Sequence, residues 1–345
     1  MQGLYILGGR QKRLLLKGQE EWNLYESALI LQVDPATGES QVCVEYKSPL
    51  DVRAGSESSI LFKAGALRDD TLYTCTSTEV LAYKLPEFET VCYVSLPCFN
   101  DLHHVCPSED GNLLVADTGL DMVVECTRQG EVLRQWNVLG EDPWGRFSRE
   151  VDYRKVASTK PHRSHPSYVF QLDREIWATR HEQRDAVCLT RSTPPITVGL
   201  ERMHDGHVER NWIYFTTVDG NLVVVDRNTL QVSNVVDLKL IDNECRALLG
   251  WCRGLFIVDE AKAWVGFTRV RKTKFMENLN WVKHAFHHVE KPTHLALYDL
   301  SARKCLQEID LEPDRMNVVY SIFPAAECPQ QSGQFGEQKP SGRPA

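Results

Sequence analysis

Across 345 residues, 39 Lys and Arg stand against 47 Asp and Glu, a formal net charge of −8. That acidic balance weighs against a nucleic-acid partner, whose phosphates call for a basic face, and no run approaches the ~20 consecutive apolar residues that a membrane helix needs. Residues 1–5 lack a basic region followed by an apolar stretch, so no signal peptide is expected. Eleven cysteines, an odd count without a Cys-x-x-Cys pair, point to reduced thiols filling the core and to a cytoplasmic setting.

In chain order, one pattern recurs six times: an apolar run, a polar turn, then a second apolar run. Residues 28–33 turn through 34–39 into 40–44, residues 80–83 turn through 84–89 into 90–94, and residues 122–126 turn through 127–130 into 131–133. Residues 186–189 turn through 190–195 into 196–198, residues 222–225 turn through 226–229 into 230–232, and residues 295–298 turn through 299–303 into 304–306. Each is a β-hairpin by period and turn chemistry. A second pair precedes most copies, clearest at 110–117 and 210–217. Four short strands per unit, six units and almost no helical periodicity predict an all-β, six-bladed β-propeller. The late run 316–323 is expected to join the first blade and close the ring, removing an open edge.

Two insertions interrupt the repeat. One spans about 137–160, with Trp144 and Tyr153; the other, about 268–293, carries Arg269, Arg271, Lys272, Lys274 and Trp281, and its end, 281–288, has the spacing of a short helix. Residues 1–326 read as one propeller domain. Residues 327–345, rich in Pro, Gly and Gln, read as a disordered tail.

Phe99-Asn100-Asp101-Leu102-His103-His104-Val105, followed by Asp110-Gly111-Asn112-Leu113-Leu114-Val115-Ala116-Asp117-Thr118-Gly119, resembles a blade of the NHL-repeat family over about a tenth of the chain. Propellers similar to that family include interaction modules as well as metal-dependent enzymes: gluconolactonase-like hydrolases, streptogramin lyases and the peptide-amidating lyase. The resemblance implies a fold more than a function.

Alignment of the blades by their second strands brings His103-His104, then His162 and His165, then His204 and His207 to similar places in the third, fourth and fifth blades, with Arg253 in the sixth. Three inward imidazoles are a ligand set for one divalent metal, Zn, Mn, Ca or Fe, with a position open to water or substrate. His104, His165 and His204 agree best in spacing. Arg253, with Asn100, is the candidate holder of an anionic substrate, since a guanidinium fork matches carboxylate or phosphate. Asp205 or His207 is the candidate proton carrier. Each has a plainer reading: a histidine bonded to backbone, an arginine paired with Asp101 or Asp205, or a turn aspartate.

His284, His287, His288 and His294 form a second metal candidate, set against a lid-like loop with Lys283 and Lys291 nearby, and the run 269–274 reads as a solvated turn or an acidic-ligand contact. No phosphate-binding Gly-rich loop and no Gly-x-Ser-x-Gly elbow occurs. The expectation is a propeller that binds a small, anionic molecule in its axial channel, with metal-dependent lyase or hydrolase chemistry there. The alternative is a non-catalytic module that binds a protein partner.

Overall fold

A computed structural model describes residues 3–13, 24–242, 247–270, 290–314 and 316–325. Within them, strands pair into six four-stranded antiparallel sheets. The first blade orders β24 (Val318–Pro324), β1 (Leu4–Gln11), β2 (Tyr25–Val33) and β3 (Ser40–Tyr46). The second holds β4 (Ala66–Arg68), β5 (Thr71–Cys75), β6 (Val80–Lys84) and β7 (Glu89–Val94). The third holds β8 (Leu102–Pro107), β9 (Leu113–Asp117), β10 (Met122–Cys126) and β11 (Val132–Asn137). The fourth holds β12 (Val169–Leu172), β13 (Glu175–Arg180), β14 (Asp185–Cys188) and β15 (Ile196–Thr197). The fifth holds β16 (Met203–Glu209), β17 (Trp212–Thr217), β18 (Asn221–Asp226) and β19 (Val232–Asp237). The sixth holds β20 (Trp251–Ile257), β21 (Lys262–Thr268), β22 (His294–Asp299) and β23 (Lys304–Asp310). The protein is a six-bladed β-propeller, and β24, the last strand, pairs with β1 from Leu4↔Pro324 to Gly9↔Val318, closing the ring.

The turns form as their residues dictate. In 34–39 the Gly38 N–H donates to the Asp34 carbonyl at 2.8 Å, with Gly38 at a φ of 75° that favours glycine. In the fifth blade the Asp226 side chain accepts from the Asn228 and Thr229 N–H groups at 2.8 Å each, fixing that hairpin by an Asx turn.

The core is divided among the blade interfaces. Tyr5 and Leu7 meet Phe62 and Leu81; Val80 meets Val105 and Met122; Leu114 meets Val169 and Ile176; Phe170 meets Phe215 and Val223; Leu222 meets Cys252 and Phe267; and Trp264 meets Leu4 and Leu29. Every blade therefore buries both faces, which is why β9 and β10 are buried at each position instead of on alternate residues. The outermost strands, such as β7 and β11, begin in exposed residues. Six cysteines, 75, 92, 98, 126, 188 and 252, are buried, and all nine described cysteines are unpaired.

The connection between the third and fourth blades is longer than expected, running 138–168 with only a 3-10 turn at Tyr153–Lys155. A second long connection, 47–65, joins the first and second blades. Of the other insertion, residues 271–289 lie outside the described residues, and with them the helix expected at 281–288 and His284, His287 and His288. The tail, 327–345, lies outside them too. Among the described residues no helix is long and apolar enough to cross a membrane.

Candidate functional site

Each blade sends one side chain to the same axial mouth. Lys63 precedes β4, His103 lies on β8, His165 precedes β12, His204 lies on β16, Arg253 on β20 and Tyr320 on β24, and all six line a cavity of about 830 Å³. They are close to one another. The His103 ring lies 4.6 Å from that of His165 and 5.7 Å from that of His204, centroid to centroid. His204 lies 5.7 Å from Tyr320. The Arg253 guanidinium sits 4.6 Å above the Tyr320 ring and 5.9 Å from Trp251, a cation–π stack that holds its plane. His162 and His181 add two more imidazoles: the Nδ1 atoms of His162 and His165 are 3.0 Å apart, and the His181 ring lies 4.7 Å from that of His165.

The walls come from the two long connections. Lys155 Nζ donates to the Leu50 carbonyl at 2.9 Å, tying one to the other. Asn100 is buried where the third blade meets its insertion: Nδ2 donates to the carbonyls of Tyr153 and Val156, each at 2.8 Å, and Oδ1 accepts from Thr159. Its amide is thereby occupied, though the residue lines the cavity. Asp121, in the β9–β10 turn and 1% exposed, reaches into the same connection. Its carboxylate accepts from the backbone N–H groups of Arg163, Ser164 and His165 at 2.9, 2.9 and 2.8 Å, and from Arg146 Nη1 at 2.9 Å. His165 has a φ of 60°, a left-handed conformation rare for histidine, and those bonds hold it there.

The site's charge opposes that of the chain. Six Lys or Arg side chains line the cavity against two acids, Asp101 and Glu182, alongside five histidines. Lys63 forms an ion pair with Asp101; burial pushes the Asp101 carboxyl up, but Lys63, His162 and Lys160 together outweigh this and leave it below its ordinary value. Burial, followed by neighbouring cationic and imidazole groups, pushes His103, His165 and His204 well below the ordinary imidazole value, so all three are neutral. For His103 the cations are Lys63 and Arg253, and for His204 Arg253 comes first.

Three groups in this wall have unmet hydrogen-bonding capacity, one of them Arg53, whose Nε is buried without a partner. Neither ring nitrogen of His204, a residue 2% exposed, has a partner, and Arg253 Nε is likewise buried and unpartnered. Arg253 forms no ion pair among the described residues. Buried polar groups are almost always satisfied, so several orphans gathered at one cavity are unusual for a folded interior.

Of the three histidines expected as metal ligands, His165 and His204 reach the cavity and His104 does not. Its Nε2 lies 3.0 Å from the Gly65 carbonyl, its Nδ1 faces the Val169 N–H, and its ring meets Tyr168 at 4.6 Å. His103, one residue earlier, takes the axial place. With Lys63 and Arg253 among them, the axial histidines do not fit a divalent cation, and no group of three His, Cys, Asp or Glu side chains among the described residues is arranged to hold a metal.

Asp205 and His207 lie outside the cavity lining. Burial pushes Asp205 up to about 7 against the Gly206 and Gly254 N–H groups and the Arg253 charge, and His207 Nε2 sits 3.6 Å from Glu209. His294 is buried in β22, stacked on Phe267 at 5.0 Å with Nδ1 at the Pro292 carbonyl. His162 belongs to the aligned histidines of the fourth blade, whereas Lys63, Tyr320 and His181 carry no signal in the sequence. Continuing the blade alignment through the first two blades would have reached Lys63 and Tyr320, which hold the corresponding places.

No family model and no curated protein matches the chain. Solved structures do. A protein of unknown function from Bacteroides caccae superposes with a TM-score of 0.60 at 12% identity, over 95% of this chain and 100% of the other. A chain of the nidogen–laminin complex superposes with a TM-score of 0.54 at 8% identity, over 92% of this chain and 97% of the other. At these identities the likeness is one of fold.

Proposed function

We propose that this propeller binds a small organic anion in the axial cavity. The observation that carries the reading is the set of orphaned polar groups, His204, Arg253 Nε and Arg53 Nε, buried in a wall where cations outnumber acids in an otherwise acidic chain. A volume of about 830 Å³ suits a drug-sized or metabolite-sized ligand. Arg253, already stacked on Tyr320, gives up little rotamer freedom on binding. The reading is one of binding: neither Asp205 nor His207, the expected proton carriers, lines the cavity.

A thermal-shift screen of anionic, neutral and cationic metabolites tests it, run on the parent chain and on Arg253→Gln. Anions are expected to raise the melting temperature of the parent, with the shift lost in the variant. Stabilisation confined to neutral or cationic compounds, or equal shifts in both chains, would overturn the reading.

A further inference from the structure

We infer that the floor of the cavity is a subsite for a tetrahedral oxyanion, so that the ligand class is a phosphate or sulfate monoester, its organic part filling the wider mouth; this rests on the anion-binding reading above. The argument is geometric. The nitrogen groups meeting at the axis come from five different blades, at Lys63, His103, His165, His204 and Arg253. A planar carboxylate offers its lone pairs within one plane and is matched by a single guanidinium from one side. Donors that converge from around a ring surround instead a group whose oxygens point in several directions.

The hydrogen bonds already made leave nitrogens over for that purpose. His103 engages Nδ1 with the Asp101 carbonyl at 2.8 Å, and His165 engages Nδ1 with His162. Each ring keeps its Nε2. His204 keeps both nitrogens and Arg253 its Nε, all buried without a partner. A neutral imidazole donates one N–H; that of His103 goes from Nδ1 to the Asp101 carbonyl, so His165 and His204 can each offer a neutral donor toward the axis beside Arg253, and His103 donates there only once protonated. Lys63 is already paired with Asp101, which leaves Arg253 as the cation turned to the anion, and a doubly charged group is matched once one of the histidines takes up a proton.

Calorimetric titration of the full chain at pH 6.5 with sulfate, inorganic phosphate, acetate and malonate decides it. Sulfate and phosphate are expected to bind at least tenfold more tightly than acetate or malonate, and His204→Gln is expected to abolish that preference. Malonate or acetate binding as tightly as sulfate would overturn the tetrahedral subsite and leave the anion reading standing. The absence of binding by any of the four would overturn both. Because the comparison among anions is made on the parent chain, it holds even if the variant misfolds.

Discussion

Asp121 Oδ1 accepts the backbone N–H of His165 at 2.8 Å across the boundary between the third and fourth blades. One buried carboxylate thus sets the backbone of a cavity histidine that belongs to another sheet, and the two N–H groups before it are held by the same side chain. Asp121→Ala removes an acceptor from three N–H groups and from Arg146. The expected cost is about 3 kcal/mol, from hydrogen bonds to a charged group, read as a lowered urea midpoint. Anion binding should weaken in the same variant, whereas an Arg146→Gln control, which keeps the three backbone bonds, should bind almost as the parent does.

Asn100 is expected to act on the wall and not on the ligand. Asn100→Ala breaks the bonds to Tyr153 and Val156, at about 1–3 kcal/mol for carbonyls left unpaired in the interior. Limited proteolysis should then cut within 138–168 under conditions where the parent chain resists. Cleavage elsewhere first would contradict this role.

Acid should destabilise the fold before most carboxylates titrate. His103, His104, His165 and His204 are buried and neutral, and burial pushes His104 down to about 3. In the unfolded chain each titrates near 6.5. Below that value the unfolded state takes up protons that the folded state refuses, so stability falls as pH drops from about 6.5, by up to about 1.4 kcal/mol per pH unit for each histidine. Asp205 works the other way: with its carboxyl held up at about 7, the folded state keeps a proton that the unfolded state releases between about 4 and 7. Asp117, whose carboxyl burial also holds well above its ordinary value, acts in the same direction, but two such groups do not offset four. Urea unfolding at pH 7.0, 6.0 and 5.0 should show a steadily falling midpoint, and a flat profile would contradict the neutral cluster.

Anion affinity should run against stability. Sulfate is a dianion throughout pH 5.5–8, so any pH dependence of its binding belongs to the protein. An anion among the histidines favours their protonated forms. Lys63, Lys160, Arg202 and Arg253 now oppose protonation, and Asp101, Asp121 and Glu182 favour it. Binding then draws in a proton, and affinity should rise as pH falls, approaching tenfold per unit where one proton is linked. Titrations at pH 7.5, 6.5 and 5.5 check this; equal affinities would show that the histidines stay neutral when the anion binds.

The propeller is legible in the sequence because each blade repeats the same hairpin and each hairpin carries its own turn chemistry, as at Asp34–Gly38 and Asp226–Thr229. Closure by β24 is legible because the run at 316–323 has no partner nearby in the chain. The site is only partly so. His165, His204 and Arg253 follow from blade alignment, but the choice between His103 and His104 turns on strand phase. The ladder between β8 and β9 shifts register between Leu102 and His104, and such an irregularity reverses which neighbour faces the axis. No residue type marks it. Lys63 and Tyr320 escape notice for a different reason: a lysine and a tyrosine carry no metal-ligand signal, and their meaning comes only from the ring they complete.

That β24 contributes Tyr320 gives the closing strand a second consequence. The platform beneath Arg253 is delivered by the final strand of the propeller, so a chain lacking it has five of the six axial side chains and an arginine with no floor. Occupancy of the cavity therefore reports whether the circle has been completed. By mass action, a ligand that needs Tyr320 in place also holds the last strand against its neighbours, so the small molecule would serve as a latch on β24.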